Sequence, residues 1–287
     1  MIDKLAIIGV GLIGSSLALA LREAGAVGRV SGYGRNRDNL EKGVELGVLD
    51  EFGSTIAETV ADADMVVVAV PLGAMRPVFA ELKHSVSPAA VITDVGSSKS
   101  SVVEAARAEL GDILPRFVPG HPIAGTEKTG VEAGFASLYR DRRVILTPIA
   151  ETDDGAIERV TEMWRQCGAI VENLEVAHHD KVLAATSHLP HMLAYALVHQ
   201  LSGLNEHEEI FRYAAGGFRD FTRIASSDPV MWRDVCLSNG TALVALIEQY
   251  QQELDRIEAA IRAGDAERLL ELFGKAKTQR DSLIGNC

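Results

Sequence analysis

Over roughly the first 170 residues, short apolar runs rich in Val and Ile alternate with amphipathic helical stretches. A Gly-x-Gly-x-x-Gly loop, Gly9 to Gly14, joins the first run to the first helical stretch. Beyond about residue 174 the strand-like runs stop and only helical patterns remain. Together these observations predict an α/β chain with a Rossmann-type, doubly wound parallel sheet in residues 1–174 and an all-α region in 175–287. Strands that are apolar throughout must be buried on both faces, and right-handed crossovers supply helices to both.

Leu5–Ile8 is the first predicted strand, Gly14–Ala24 a helix and Arg29–Tyr33 the second strand. Arg37–Leu46 is helical, and Met65–Val70 (MVVVAV) is a strand with no polar side. Met75–Lys83 and Ser98–Leu110 are helical on either side of a strand at Val91–Asp94. Phe117–Val118, Val144–Thr147 and Ile170–Val171 are expected to continue the same sheet, with Asp153–Cys167 helical before the last. In the second half, Glu175–Leu201 reads as one long helix interrupted by Pro190, followed by helical stretches at Pro229–Ala263 and Ala266–Leu283. The segment Met192–Val198 is apolar over most of its circumference, so its burial calls for a second chain.

Composition removes several classes of function. The 287 residues carry 28 Lys+Arg against 40 Asp+Glu, a formal charge of −12, and no basic cluster that nucleic acid or an anionic membrane would need. Cys167, Cys236 and Cys287 are widely spaced and odd in number, which argues against a disulfide framework or a zinc knuckle and for a reducing, cytoplasmic setting. The apolar run Leu5–Leu21 imitates a signal peptide or anchor, but its three glycines and Ser-Ser pair divide it into a strand half and a helix half.

The glycine loop has the context that a dinucleotide site requires, a strand before it and a helix after it. Gly9 serves the tight turn, Gly11 close approach of a pyrophosphate, and Gly14 helix-on-strand packing, while Leu12 and Ile13 open the helix whose N–H groups face the anion. Val70-Pro71 and the Asp94–Lys99 segment lie at carboxyl ends of strands, where ligands of open α/β sheets bind. Ser97 or Ser98 there can also be read as a helix cap. At the end of the second predicted strand, where NAD enzymes place an Asp or Glu, the chain has Gly34, then Arg35, Asn36 and Arg37. That favours NADP+, with NAD+ tolerated. The alternative is that Arg35 and Arg37 are merely solvated, with Asp38 as their neutralising partner.

Chemistry points to three further segments. His121, in a polar glycine-rich loop (GHPIAGTEK) after a strand, suits a general base for an alcohol proton, or else is simply held by backbone contacts. His188 and His191 share a helix face beside Pro190 and mark a polar pocket. The upstream His178, His179 and Asp180 lie two to three turns away, too far for one coordination sphere, so no metal is expected and no role is assigned to His178 or His179. Gly217, Arg219 and Arg223 lie in a glycine-led segment suited to capturing a carboxylate, with a surface ion pair the alternative for either arginine. Trp232 reads as packing, with a minor prospect of lining the pocket.

In this order, GVGLIGSSLA, DVGSSKS, GHPIAGTEKTG, SHLPH and GGFRDFTRIASSDPVMWRD resemble the prephenate/arogenate (cyclohexadienyl) dehydrogenase family of tyrosine biosynthesis, over nearly the whole chain. The resemblance implies oxidation of a cyclohexadienyl 4-hydroxyl with NAD(P)+ and loss of the ring carboxylate as CO2. By the same resemblance His121 binds and deprotonates the hydroxyl, Ser97 hydrogen-bonds it, Arg223 binds a substrate carboxylate and His191 is a second pocket histidine, with His188 and Trp232 nearby. It also implies a helical second domain that forms a homodimer. The competing readings are another two-domain Rossmann dehydrogenase, of β-hydroxyacid or imine type, and a non-catalytic dinucleotide sensor. Neither needs GHPIAGTE, or His121 together with Arg223.

Overall fold

The computed structural model describes residues 1–283, and Cys287 lies outside them. The apolar amino-terminal run divides into strand β1 (Ile2–Ile8) and helix α1 (Leu12–Glu23), with the glycine loop between. There follow β2 (Val27–Tyr33), α2 (Arg37–Glu45), β3 (Glu51–Phe52), α3 (Ile56–Val60), β4 (Met65–Val68), α4 (Met75–Leu82), β5 (Val91–Asp94), α5 (Ser100–Glu109) and β6 (Phe117–Val118). All six strands are parallel, in the order β3-β2-β1-β4-β5-β6. Side chains alternate across this sheet as its period of two requires. Leu5, Ile7 and Val67 enter a core with α1 and Trp164, while Ala6, Ile8, Val66 and Val68 enter the opposite core with Phe79 and Phe117. The strand order reverses between β1 and β4, so the crevice for a ligand opens at their carboxyl ends.

The expected continuation of that sheet beyond β6 does not occur. β7 (Gly120–Pro122), β8 (Arg143–Leu146) and β9 (Ile170–Asn173) form a separate three-stranded sheet in which β7 and β8 are antiparallel. Antiparallel pairing reverses the chain at the end of β7, and it places His121 on a strand opposite Ile145 and not in a loop. Helix α6 (Asp154–Gln166) packs on the first core through Val160, Met163 and Trp164.

The region after Asn173 is helical, as predicted, but more finely divided. Glu175–Leu201 is not one helix. It consists of α7 (Val176–Leu183), a π turn at Ala184–His188, and α8 (Leu189–Ser202), with Pro190 in the first turn of α8. Proline has no N–H to donate, so it is accommodated where a helix starts, and the preceding widened turn absorbs the extra residue. Next come α9 (His207–Arg212), α10 (Gly216–Thr222) and α11 (Pro229–Ser238). The expected helical stretch over Pro229–Ala263 is interrupted at Asn239, after which α12 (Gly240–Ala263) and α13 (Ala266–Leu283) follow. Contacts group the chain into one compact unit, Met1–Gly240, and a second from Thr241 onward. Among the described residues no single helix is both long and apolar enough to cross a membrane.

Candidate active site

At the glycine loop, Gly9 has φ +101° and a Cβ there would lie 2.4 Å from the Ala69 carbonyl oxygen. A Cβ on Gly14 would meet the Gly9 carbonyl at 2.7 Å and Ile7 Cγ2 at 2.8 Å. Gly11 faces open space instead. Helix α1 starts with no side-chain cap and no acid in its first turn, leaving backbone donors and a positive dipole end for an anion. This cradle fits a dinucleotide pyrophosphate. Asn39 holds the loop: its Nδ2 donates to the Val10 carbonyl (2.7 Å) and its Oδ1 accepts from Val131 N (3.0 Å). Nothing in the sequence singled out Asn39, because its partners lie 29 and 92 residues away.

Gly34 follows β2, and Arg35 is exposed with no ion pair among the described residues. Arg37 pairs with Glu41 at 2.8 Å and lies over the Phe52 ring, so Glu41, and not Asp38, is its neutralising partner. The side chain of Asn36 caps α2 by accepting from Asn39 N.

The chemical groups are assembled from β7, α7 and the start of α5. His121 is buried on β7, and its Nδ1 lies 2.9 Å from Nε2 of His179 on α7. His179 Nδ1 lies 2.8 Å from Asp180 Oδ1. The Asp180 carboxylate also accepts from Lys99 N (2.7 Å), Ser100 N (2.8 Å) and Ser98 Oγ (3.4 Å). The cap of α5 is therefore Asp180, reaching across from α7, and not the hydroxyl of Ser97 or Ser98. Burial raises the Asp180 pKa, but the hydrogen bonds from His179, Ser100 and Lys99 overcome that and hold it well below the ordinary carboxylate range.

An ionised Asp180 fixes the tautomers in sequence. It accepts a proton-bearing Nδ1 from His179, so a neutral His179 must accept at Nε2, and His121 must donate from Nδ1. The remaining nitrogen of His121, Nε2, then carries a free lone pair and has no hydrogen-bond partner among the described residues. Burial drives the His121 pKa well below the ordinary histidine value, and His179, Lys99 and His188 push it the same way, against Asp180. His121 is thus neutral at physiological pH.

Around it, Ser97 is half-buried, with no hydrogen bond from its hydroxyl among the described residues. His188 is fully enclosed, accepts at Nδ1 from Asn239 Nδ2 (3.2 Å), and is pushed down to about 4, chiefly by burial. Asn239 donates to the Asp180 carbonyl as well, so it joins His188 to the His179–Asp180 turn. Trp232 is more than packing: its ring stacks on His191 at a centroid distance of 3.7 Å. The buried Trp232 Nε1 has no hydrogen-bond partner among the described residues, whereas His188 also meets the Ser97 backbone. Arg223 starts a 3-10 turn, exposed, 3.6 Å from Glu127, and its charge helps burial to lower the His191 pKa. Gly217 and Arg219 are exposed on α10, and Arg219 has no ion pair among the described residues. Sequence reasoning missed His179, Asp180, Lys99 and Asn239 as site components. Adjacent His179 and Asp180 were visible, but their partners are 58 to 82 residues distant.

A dinucleotide cradle at a sheet switch point, in a chain that also buries a neutral histidine, is the equipment of an oxidoreductase of the nicotinamide-dependent class. Family models described as the nucleotide-binding domain and the dimerization domain of prephenate dehydrogenase match residues 17–173 and 175–275. The chain belongs to the prephenate dehydrogenase family. It is 39% identical to a cyclohexadienyl dehydrogenase of Zymomonas mobilis, over 97% of this chain and 95% of that one. A prephenate dehydrogenase of Bacillus subtilis is 37% identical, over 99% of this chain and 76% of its own length. Among solved structures, the prephenate dehydrogenase of A. aeolicus in complex with hydroxyphenyl propionate and NAD+ superposes with a TM-score of 0.91 at 37% identity, covering 99% of both chains. The arogenate dehydrogenase of Synechocystis gives 0.80 at 29% identity, over 97% of this chain and 99% of that one.

The neutral histidines make the fold acid-sensitive. The unfolded chain takes up protons at His121 and His188 as pH falls through about 6.5, whereas the folded chain takes one at His188 only near 4. Stability is therefore complete above about 6.5 and is lost below it, by at most about 1.4 kcal/mol per pH unit for each group. Calorimetric Tm should fall between pH 6.5 and 4, and fall less steeply in His188→Gln. A Tm independent of pH over that window contradicts the assignment.

Proposed function

We propose that this chain oxidises prephenate, arogenate or both with NAD(P)+, giving 4-hydroxyphenylpyruvate or tyrosine and CO2, as a step of tyrosine biosynthesis. The observation that carries this reading is the free Nε2 of His121, left with its lone pair by the tautomers that His179 and Asp180 fix, in a ring that burial keeps neutral. Gly9, Gly11, Gly14 and the first amides of α1, at Leu12 and Ile13, hold the pyrophosphate. Val70, Pro71 and Ser97 border the nicotinamide end. When bound, the nicotinamide supplies the hydride acceptor. His121 accepts the 4-hydroxyl proton, and the Ser97 hydroxyl hydrogen-bonds the same oxygen. Loss of the ring carboxylate leaves its bonding electrons in the ring, which becomes aromatic. Arg223 binds a substrate carboxylate, exchanging Glu127 for it, with Arg219 and Gly217 beside it. His191, stacked on Trp232, and His188 line the ring pocket.

In this reading the nucleotide-binding half is 1–174 and the substrate and dimerisation half 175–287. Exposed apolar side chains at Val244, Leu254, Ile261, Leu270 and Phe273 support a homodimer, which light scattering would contradict by finding a monomer at micromolar concentration. The free thiols of Cys167 and Cys236 accord with a cytoplasmic location.

Assay of both ring substrates tests the reaction. His121→Asn should lower kcat by roughly 10²–10⁴ while dinucleotide affinity stays near normal, and Arg223→Ala should mainly raise KM. Wild-type kcat in His121→Asn, or no turnover of either substrate by the unaltered protein, contradicts the proposal.

NADP+ is the favoured cofactor, with NAD+ tolerated, because Gly34 offers no carboxylate to repel a 2′-phosphate and the unpaired Arg35 stands beside it. With Arg37 held by Glu41, Arg35 carries the preference. Gly34→Asp/Arg35→Ala should move kcat/KM toward NAD+. A wild-type preference of about tenfold or more for NAD+ overturns this reading.

A further inference from the structure

Lys99 takes no part in the chemistry above, yet it is completely buried. Its Nζ donates to Asp94 Oδ2 at 2.5 Å and to the Gly120 carbonyl at 2.6 Å. Asp94, equally buried, accepts from Gly120 N through Oδ1 (3.1 Å) and from Gly96 N through Oδ2 (2.7 Å). The ion pair thus holds both backbone polar atoms of Gly120, the residue before His121. The fit leaves no slack, since a Cβ on Gly120 would stand 3.0 Å from the Asp94 carbonyl. Lys99 N also donates to Asp180 Oδ1, the oxygen that His179 Nδ1 engages. Residue 99 is therefore joined to His121 twice, through the backbone of β7 and through the relay that orients the ring.

Stability alone does not account for such a pair. Taking two ions out of water costs about what their attraction returns, and an apolar pair of similar volume often serves a fold equally well. We propose that Lys99 is a positioning residue for the reaction, its ion pair with Asp94 fixing the backbone of Gly120 so that Nε2 of His121 meets the substrate hydroxyl. This rests on the reading of His121 as the base. The charged and titratable groups facing His121 are His179 and Asp180 from α7, His188 from the π turn, and Lys99 itself. Of these, Lys99 is a cation whose removal makes protonation of His121 easier.

The test is the double variant Asp94→Asn/Lys99→Met, which leaves no unpaired buried charge. Its Tm and its dissociation constants for NADP+ and NAD+ should stay close to wild type. Its kcat should fall by roughly 10- to 100-fold, more than KM changes, because a misplaced base loses rate steeply. The acid limb of kcat/KM should move to higher pH, which a merely structural role would not cause. A folded double variant with wild-type kcat and an unmoved acid limb overturns the proposal. Should the wild-type protein turn over neither ring substrate, the functional reading fails, and the ring titration of His121 by NMR in wild type and variant still decides the Lys99 question: an unchanged titration overturns it. If the variant does not fold, hydrogen exchange of the wild-type Gly120 amide decides. Protection equal to the central strands supports the clamp, and exchange at the rate of an exposed loop overturns it.

Discussion

The Asp180 carboxylate, largely withdrawn from water, accepts hydrogen bonds from Lys99 N, Ser100 N and Ser98 Oγ at the start of α5, and from His179 beside it on α7. One anion thereby does two jobs that usually need separate residues. It satisfies the N–H groups and positive dipole end of a helix of the nucleotide-binding fold, and it orders the proton positions of two imidazoles. Without a fixed negative charge at that point, His179 would be free to take either tautomer, and His121 would have no defined base nitrogen. In the proposed function the geometry of the base thus depends on α7 docking against the start of α5 and against β7.

An acidic chain handling an anionic substrate has to arrange its charges locally. In the proposed function the cationic group of the ring site is Arg223, held loosely by Glu127 at 3.6 Å, while the histidines are kept neutral chiefly by burial. This separation has a chemical purpose. A protonated His121 could bind a carboxylate but could not accept a hydroxyl proton, so the base must be shielded from the charge that attracts the substrate. The same shielding is what the fold loses as the solution becomes acidic.

Much of this was legible in the sequence because it is local. The glycine loop, the doubly buried strands around Val66–Val68, and the motif residues His121, His191 and Arg223 each announce themselves within a few positions. What was not legible depends on pairing at a distance. β7 has three residues, too few to show a period, and the apolar run of β8 looks the same whether its neighbour is parallel or antiparallel. Pro190 was correctly read as a disturbance, but a π turn and a helix start carry the same residues as a kinked helix. His179 and Asp180 stood in view as neighbours, and only the packing of α7 on β7 and α5 turns them toward His121 and Lys99. Asn239 hides for the opposite reason, sitting in a stretch whose helical pattern runs straight through it.

In the proposed function burial keeps His121 neutral, while Asp180 and His179 hold its proton on Nδ1 and leave a bare Nε2 for the substrate. Long-range proton–nitrogen correlation spectra of the histidine rings measure this directly, with the His121 signals assigned by their absence in His121→Asn. At pH 7 His121 should show a pyrrole-type Nδ1 and a pyridine-type Nε2. An Nε2–H tautomer, or an imidazolium at that pH, would contradict it.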